Sequence, residues 1–117
     1  MILALLLSVA TCTVESPDYY KSIADSLCGY GTFEKVSLVE GKSAEEMRVS
    51  LHMNKVGAEI YKIRRIDLWQ FYGGMCQIAG QKGLKLTFEF LEEGVTVGQC
   101  YNVERKTVCE VVDGKKI

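Results

Sequence analysis

The chain has 117 residues, enough for one domain and not for two, with 48% apolar and 25% charged residues, so a packed core is expected and wholesale disorder is not. Fourteen basic residues against fifteen acidic ones leave a formal net charge of -1. That balance offers no basic surplus to neutralise nucleic-acid phosphates or to hold an anionic membrane surface.

The N-terminus opens with Met1-Ile2-Leu3-Ala4-Leu5-Leu6-Leu7 and continues into the small residues Ser8-Val9-Ala10. This apolar run is shorter than the roughly 20 residues a bilayer span needs. It resembles the apolar core of a secretory signal, with Ser8-Val9-Ala10 in the place of a signal-peptidase site, although no Lys or Arg precedes it. Val9-Ala10-Thr11-Cys12 also resembles a bacterial lipobox, departing from it at Thr11, where that pattern prefers Gly, Ala or Ser. Residues 1–12 are therefore expected to be a leader, and 13–117 a single disulfide-braced domain in a secreted or periplasmic setting. Membrane attachment would come only through lipidation of Cys12.

Ser16-Pro17-Asp18 marks a helix start: serine caps, proline suits the first helical position, and aspartate suits the positive end of the helix dipole. Tyr20, Ile23, Ala24, Leu27 and Cys28 then recur at helical spacing, and Gly29 and Gly31 stop the helix. Three strands are expected next. Glu34 to Glu40 carries Val36 and Leu38 on one face. Glu46 to Met53 alternates Met47, Val49, Leu51 and Met53 with Arg48, Ser50 and His52. Val56 to Arg64 reads as a central strand with both faces partly covered, entered through a turn at Asn54-Lys55.

Ile66 to Gly80 is the best-patterned helix. Asp67 and Gln70 have N-cap and N3 spacing, and Leu68, Phe71, Tyr72, Met75 and Ala79 form one broad apolar face. Gly73-Gly74 in mid-helix costs about 1 kcal/mol per glycine relative to alanine, which points to close approach of another backbone. Three more strands follow: Leu84 to Phe90, Val95 to Val103, and Lys106 to Asp113 around a turn at Glu104-Arg105.

The fold class expected from this order, α-βββ-α-βββ, is α+β: an antiparallel sheet of five to six strands with two helices on one face. The order is similar to that of secretion-chaperone-like and cystatin-like domains, which bears on fold class alone. Gly94-Val95-Thr96-Val97-Gly98 lacks the leading glutamine of the cystatin Gln-x-Val-x-Gly loop.

Five cysteines occur, at 12, 28, 76, 100 and 109. If Cys12 goes with the leader or is lipidated, four remain to pair. Placing Val103 opposite Lys106 puts Cys100 opposite Cys109, Tyr101 opposite Val108 and Val97 opposite Val112, so that one face is expected to be apolar and the cysteines to share the opposite face. Cys28 and Cys76, each near the end of an apolar helix face, would then tie the two helices together. On the chain-entropy account that bond contributes on the order of 3–4 kcal/mol. No Cys-x-x-Cys spacing occurs and the single His52 is remote in sequence, so neither a metal nor a cofactor is expected.

No constellation of catalytic residues stands out. His52 shares a polar strand face with Arg48 and Ser50, and it is the centre of a small enzyme only if one exists. Lys62, Arg64 and Arg65 precede Trp69 and Tyr72, so Arg64, Arg65, Trp69 and Tyr72 form the candidate contact edge, since Arg and aromatics dominate interface hot spots. The expected function is a small exported non-catalytic binding or accessory domain acting on a protein partner. The alternative is a secreted or periplasmic enzyme inhibitor using the loop Glu40-Gly41-Lys42-Ser43. The oligomeric state is not legible.

Overall fold

The structure, a computed structural model, describes residues 11–41 and 45–112. The leader residues 1–10, much of the candidate inhibitor loop and the tail beyond Val112 lie outside them. The elements are β1 (Thr13–Glu15), a 3-10 turn (Asp18–Tyr20), α1 (Lys21–Cys28), β2 (Phe33–Glu40), β3 (Glu46–Met53), α2 (Lys55–Ile63), α3 (Arg65–Gln81), β4 (Lys85–Glu92), β5 (Val95–Val103) and β6 (Lys106–Val111). The class is α+β, with six strands in one sheet, laid side by side in chain order.

The sheet is mixed, not antiparallel as the sequence suggested. β1 runs parallel to β2 and β3 parallel to β4; the other neighbours are antiparallel. The cause is the segment expected as a third strand, which is α2. With helices between them, β3 and β4 are joined by a crossover, and a crossover returns the chain to the end of the sheet where it started. Among the described residues there are three α-helices, not two.

Asn54 decides the matter locally. Its side-chain oxygen accepts the Gly57 N–H at 2.8 Å, an N-cap, while its amide nitrogen donates to the Gly31 carbonyl at 3.1 Å. Gly57, Ala58 and Tyr61 then turn inward at helical spacing. Gly57 is required there: a Cβ at that position would fall on the Thr32 carbonyl oxygen. Arg64, with φ -123° and ψ 39°, breaks the helix from α3. Asp67 does not cap α3, which starts two residues earlier; its carboxylate takes two hydrogen bonds from the Arg64 guanidinium, at 2.7 and 2.9 Å.

Strand register sorts the side chains into rows across the sheet. Leu38, Val49, Phe88, Cys100 and Cys109 form one row, and Val36, Leu51, Phe90 and Gly98 form the next. These rows make the core under the helices. On the other face a polar row crosses all six strands: Glu15, Ser37, Ser50, Glu89, Gln99 and Glu110. It is stitched by hydrogen bonds from Ser50 to Glu89 at 3.2 Å and from Gln99 to Glu110 at 2.6 Å, and by an Arg48–Glu89 ion pair. The cysteines of the β5–β6 hairpin lie on the core side, not on the face turned away from the apolar one as the pairing suggested, and Cys100 is fully buried.

Cys100 and Cys109 face each other at disulfide distance, with Cα atoms 4.1 Å apart. The second pair is Cys12 with Cys28, Cα atoms 5.6 Å apart, and not Cys28 with Cys76. A bonded Cys12 has no thiol to acylate, so lipidation does not fit this arrangement. Cys76 is the free thiol. It points down from α3 into the sheet, lying 3.4 Å from the Leu86 carbonyl and 3.6 Å from that of Cys100. Two pairs at disulfide distance are compatible with an extracellular location. Among the described residues no helix is long and apolar enough to cross a membrane.

Candidate functional site: an apolar crevice between two helices

Helices α1 and α3 cover different parts of the sheet. The first packs on β1 and β2, and the second on β4, β5 and β6. They approach at one end, where the Tyr30 ring meets the Phe71 ring edge-on at 6.0 Å. Toward the other end they leave a crevice of about 270 Å³. Ile23 and Leu27 of α1 form one wall and Met75 and Ala79 of α3 the other. The floor is Leu38, Met47, Val49, Leu86 and Phe88.

The charged groups stand at the mouth: Glu40, Glu45, Glu46 and Lys85. Tyr19 donates its hydroxyl to the Glu40 carboxylate and anchors that carboxylate on the rim. That contact, more than burial, raises the Tyr19 pKa above its usual value. Ile23 at the lip is 50% exposed and Leu84 is 44% exposed, so apolar surface continues outward from the cavity. The lining is apolar with a few polar groups at the edge, the usual chemistry of a binding site. Its volume falls just under the roughly 300–1,000 Å³ typical of small-molecule pockets.

The four residues expected as a contact edge do not converge. Tyr72 is 2% exposed and lies in the core, edge-on to Phe88 and Phe90 at 4.9 and 5.3 Å. Burial raises its pKa strongly. Arg64 is exposed and bound to Asp67. Only Arg65 and Trp69 meet: the guanidinium carbon lies 5.4 Å from the Trp69 ring centroid and 5.8 Å from that of Tyr61. This is a cation stacked between two rings that pack on the core, with Trp69 half-buried. It braces the junction of α2 and α3.

His52 lies on the uncovered face of β3, opposite Lys35 of β2. Partial burial, and then the Lys35 charge, lower its pKa. Among the described residues no group of three or more His, Cys, Asp or Glu is arranged to hold a metal ion.

The crevice was not visible in the sequence because its residues come from six separate elements. One signal was present. Helix α3 carries apolar residues beyond its buried face, and Ile66, Phe71 and Ile78 remain exposed. Those residues stand exposed beside Asp67, Gln70, Gln77 and Gln81, so the helix carries more apolar surface than its one packed face uses. No known protein family, curated protein or solved structure matches the chain.

Proposed function

We propose that this chain is an exported, non-catalytic binding domain that receives apolar side chains of a protein partner in the crevice between α1 and α3. The observation that carries this reading is the shape and lining of the crevice: an apolar cavity, open at one end, with carboxylates on its rim. Its modest volume suits one or two inserted side chains better than a large ligand. The Glu40 and Glu45 carboxylates outnumber Lys85 at the mouth and favour a partner segment in which Lys or Arg flanks the apolar residues. The leader-like N-terminus and the two cysteine pairs support export.

The test uses two synthetic helical peptides with the same leucine pattern, one filled with lysine and one with glutamate. Titration is followed by NMR of the Ile23, Met75 and Leu86 methyl groups. The lysine peptide should shift those methyls and bind more tightly, with the difference shrinking as salt is added. Ile23→Asp, at an exposed lip position, should abolish the shifts while leaving the melting temperature unchanged. Equal binding of both peptides, or shifts that avoid the crevice, would overturn the reading. A small apolar dye that binds while neither peptide does would replace the protein partner with a small ligand.

A further inference from the structure

The sheet ends on one side at β6, whose outer edge meets no other strand among the described residues. The opposite edge is short, since β1 has three residues. β6 has six, none of them proline, and its pairing with β5 runs without irregularity. Natural sheets usually blunt such an edge, because its free N–H and C=O groups are a template for another strand. The hairpin sets which groups are free. Glu104 and Arg105 form its two-residue turn, with φ of 49° and 68°, and the Val112 N–H donates to the Val97 carbonyl at 3.0 Å. Lys106, Val108 and Glu110 therefore direct their backbone groups to β5, while Thr107, Cys109 and Val111 turn theirs outward.

The charges along this edge define its partner. Lys106 and Glu110 share the face of the sheet turned away from the helices, with Val108 between them. Glu110 accepts a hydrogen bond from the Gln99 amide at 2.6 Å, which holds one carboxylate oxygen and leaves the other. Lys106 is exposed and in no ion pair among the described residues. The two cannot meet within one strand, where four residues separate them by about 13 Å. A second β6 laid antiparallel, Val108 against Val108, brings the Lys106 of each copy directly opposite the Glu110 of the other. The same register sets Thr107 opposite Cys109, so their outward backbone groups meet. Sliding the pair by two residues in either direction puts Val108 opposite a charge and breaks both ion pairs.

We propose that the chain pairs with a second copy of itself through β6, forming a two-fold dimer with one continuous sheet. The same strand serves both copies, so the assembly closes at two. The Lys106–Glu110 pairs and the Val108 pair fall at the non-hydrogen-bonded positions, where side chains lie closest. Tyr101, opposite Val108 in β5, flanks the valines on either side. The helices leave room for this. α3 packs on β4, β5 and β6, so its two copies stand about three strand spacings apart. That is roughly 14 Å, against a helix diameter of about 10–12 Å. The crevice lies on the other flank of α3 and stays open, so the proposal is independent of the peptide-binding reading.

Sedimentation equilibrium up to millimolar concentration should show a reversible monomer–dimer equilibrium. The Thr107 and Cys109 amide protons should exchange more slowly as the dimer fills. Lys106→Glu alone and Glu110→Lys alone each set like charges face to face at both ends of the contact. Each should weaken the dimer about tenfold. Mixing the two variants restores opposite charges at both ends, so a heterodimer of about parental affinity should form. The double variant Lys106→Glu/Glu110→Lys should likewise dimerise as the parent does. A chain that stays monomeric at millimolar concentration, single variants that dimerise as well as the parent, or a loss that mixing does not rescue would overturn the proposal. A monomer that instead takes up a strand peptide of unrelated sequence at Thr107 and Cys109 would also overturn it, replacing the second copy with another protein.

Discussion

Gly73 of α3 rests on the sulfur of Cys109. A Cβ built at position 73 would stand 3.1 Å from that Sγ and 3.3 Å from the Thr107 methyl carbon. The neighbouring Gly74 has nothing within 4 Å of the same construction. Two adjacent glycines in one helix therefore have opposite reasons to be replaced. Gly74→Ala should stabilise the chain by about 0.5–1 kcal/mol, the usual gain in helix propensity. Gly73→Val should destabilise it by about 1–3 kcal/mol through overpacking. Urea denaturation of the two variants checks both signs.

Asn102 of β5 extends the sheet with its side chain. Its amide oxygen accepts the Leu86 N–H at 2.9 Å, and its nitrogen donates to the Leu84 carbonyl at 2.8 Å. It is also buried against Gly80, where an added Cβ would meet the amide nitrogen at 2.8 Å. Asn102→Ala should strand both backbone groups and cost about 2–4 kcal/mol, at 1–2 for each lost partner. Amide exchange at Leu86 should accelerate more than at Phe90.

The Cys76 thiol is fully buried, and burial pushes its pKa from 9.0 up to about 12. The folded state therefore keeps a proton that the unfolded chain gives up. This stability is fully present below pH 9.0 and is lost as the pH rises toward about 12. The slope is about 1.4 kcal/mol per pH unit. Tyr61 and Tyr72, also raised by burial, add to the loss at higher pH. In Cys76→Ala the urea midpoint should fall less between pH 9 and 10 than in the parent chain. Native Cys76 should resist iodoacetamide until the chain unfolds.

Breaking the bond of Cys12 to Cys28 should remove about 3 kcal/mol on the chain-entropy account, since it closes a separation of 16 residues. Its local effect should be sharper. β1 is a three-residue edge strand, tethered close to this bond. In Cys12→Ala/Cys28→Ala the Thr13–Glu15 amides should exchange freely while those of β3 and β4 stay protected.

Most strands were legible because their alternation is strict. Glu46–Met53 and Val95–Val103 have the ends the sequence suggested, and the hairpin register followed from the Cys100 and Cys109 spacing. The segment after Asn54 was misread because β-branched Val56 and Ile60 suggest a strand, while the cap on Gly57 is a tertiary decision tied to Gly31 and Thr32. The direction of β4 followed from that one segment. Cys28 was misassigned because the leader reading removed its true partner from the count. The candidate contact edge failed at Tyr72, whose pattern on α3 was equally that of core, and nothing in the linear order showed a crevice beside it.

A sheet whose strands stand in chain order never has to open in order to admit a later one. Each strand emerging during synthesis finds its neighbour already in place. Both cysteine pairs join consecutive thiols at the two ends of this sequence, while Cys76 lies between them and is enclosed by α3 and the sheet. Oxidative folding should therefore proceed from the N-terminus with few wrong bonds to undo. Exchange with a stray thiol begins only if the second half of the chain is late in closing over Cys76.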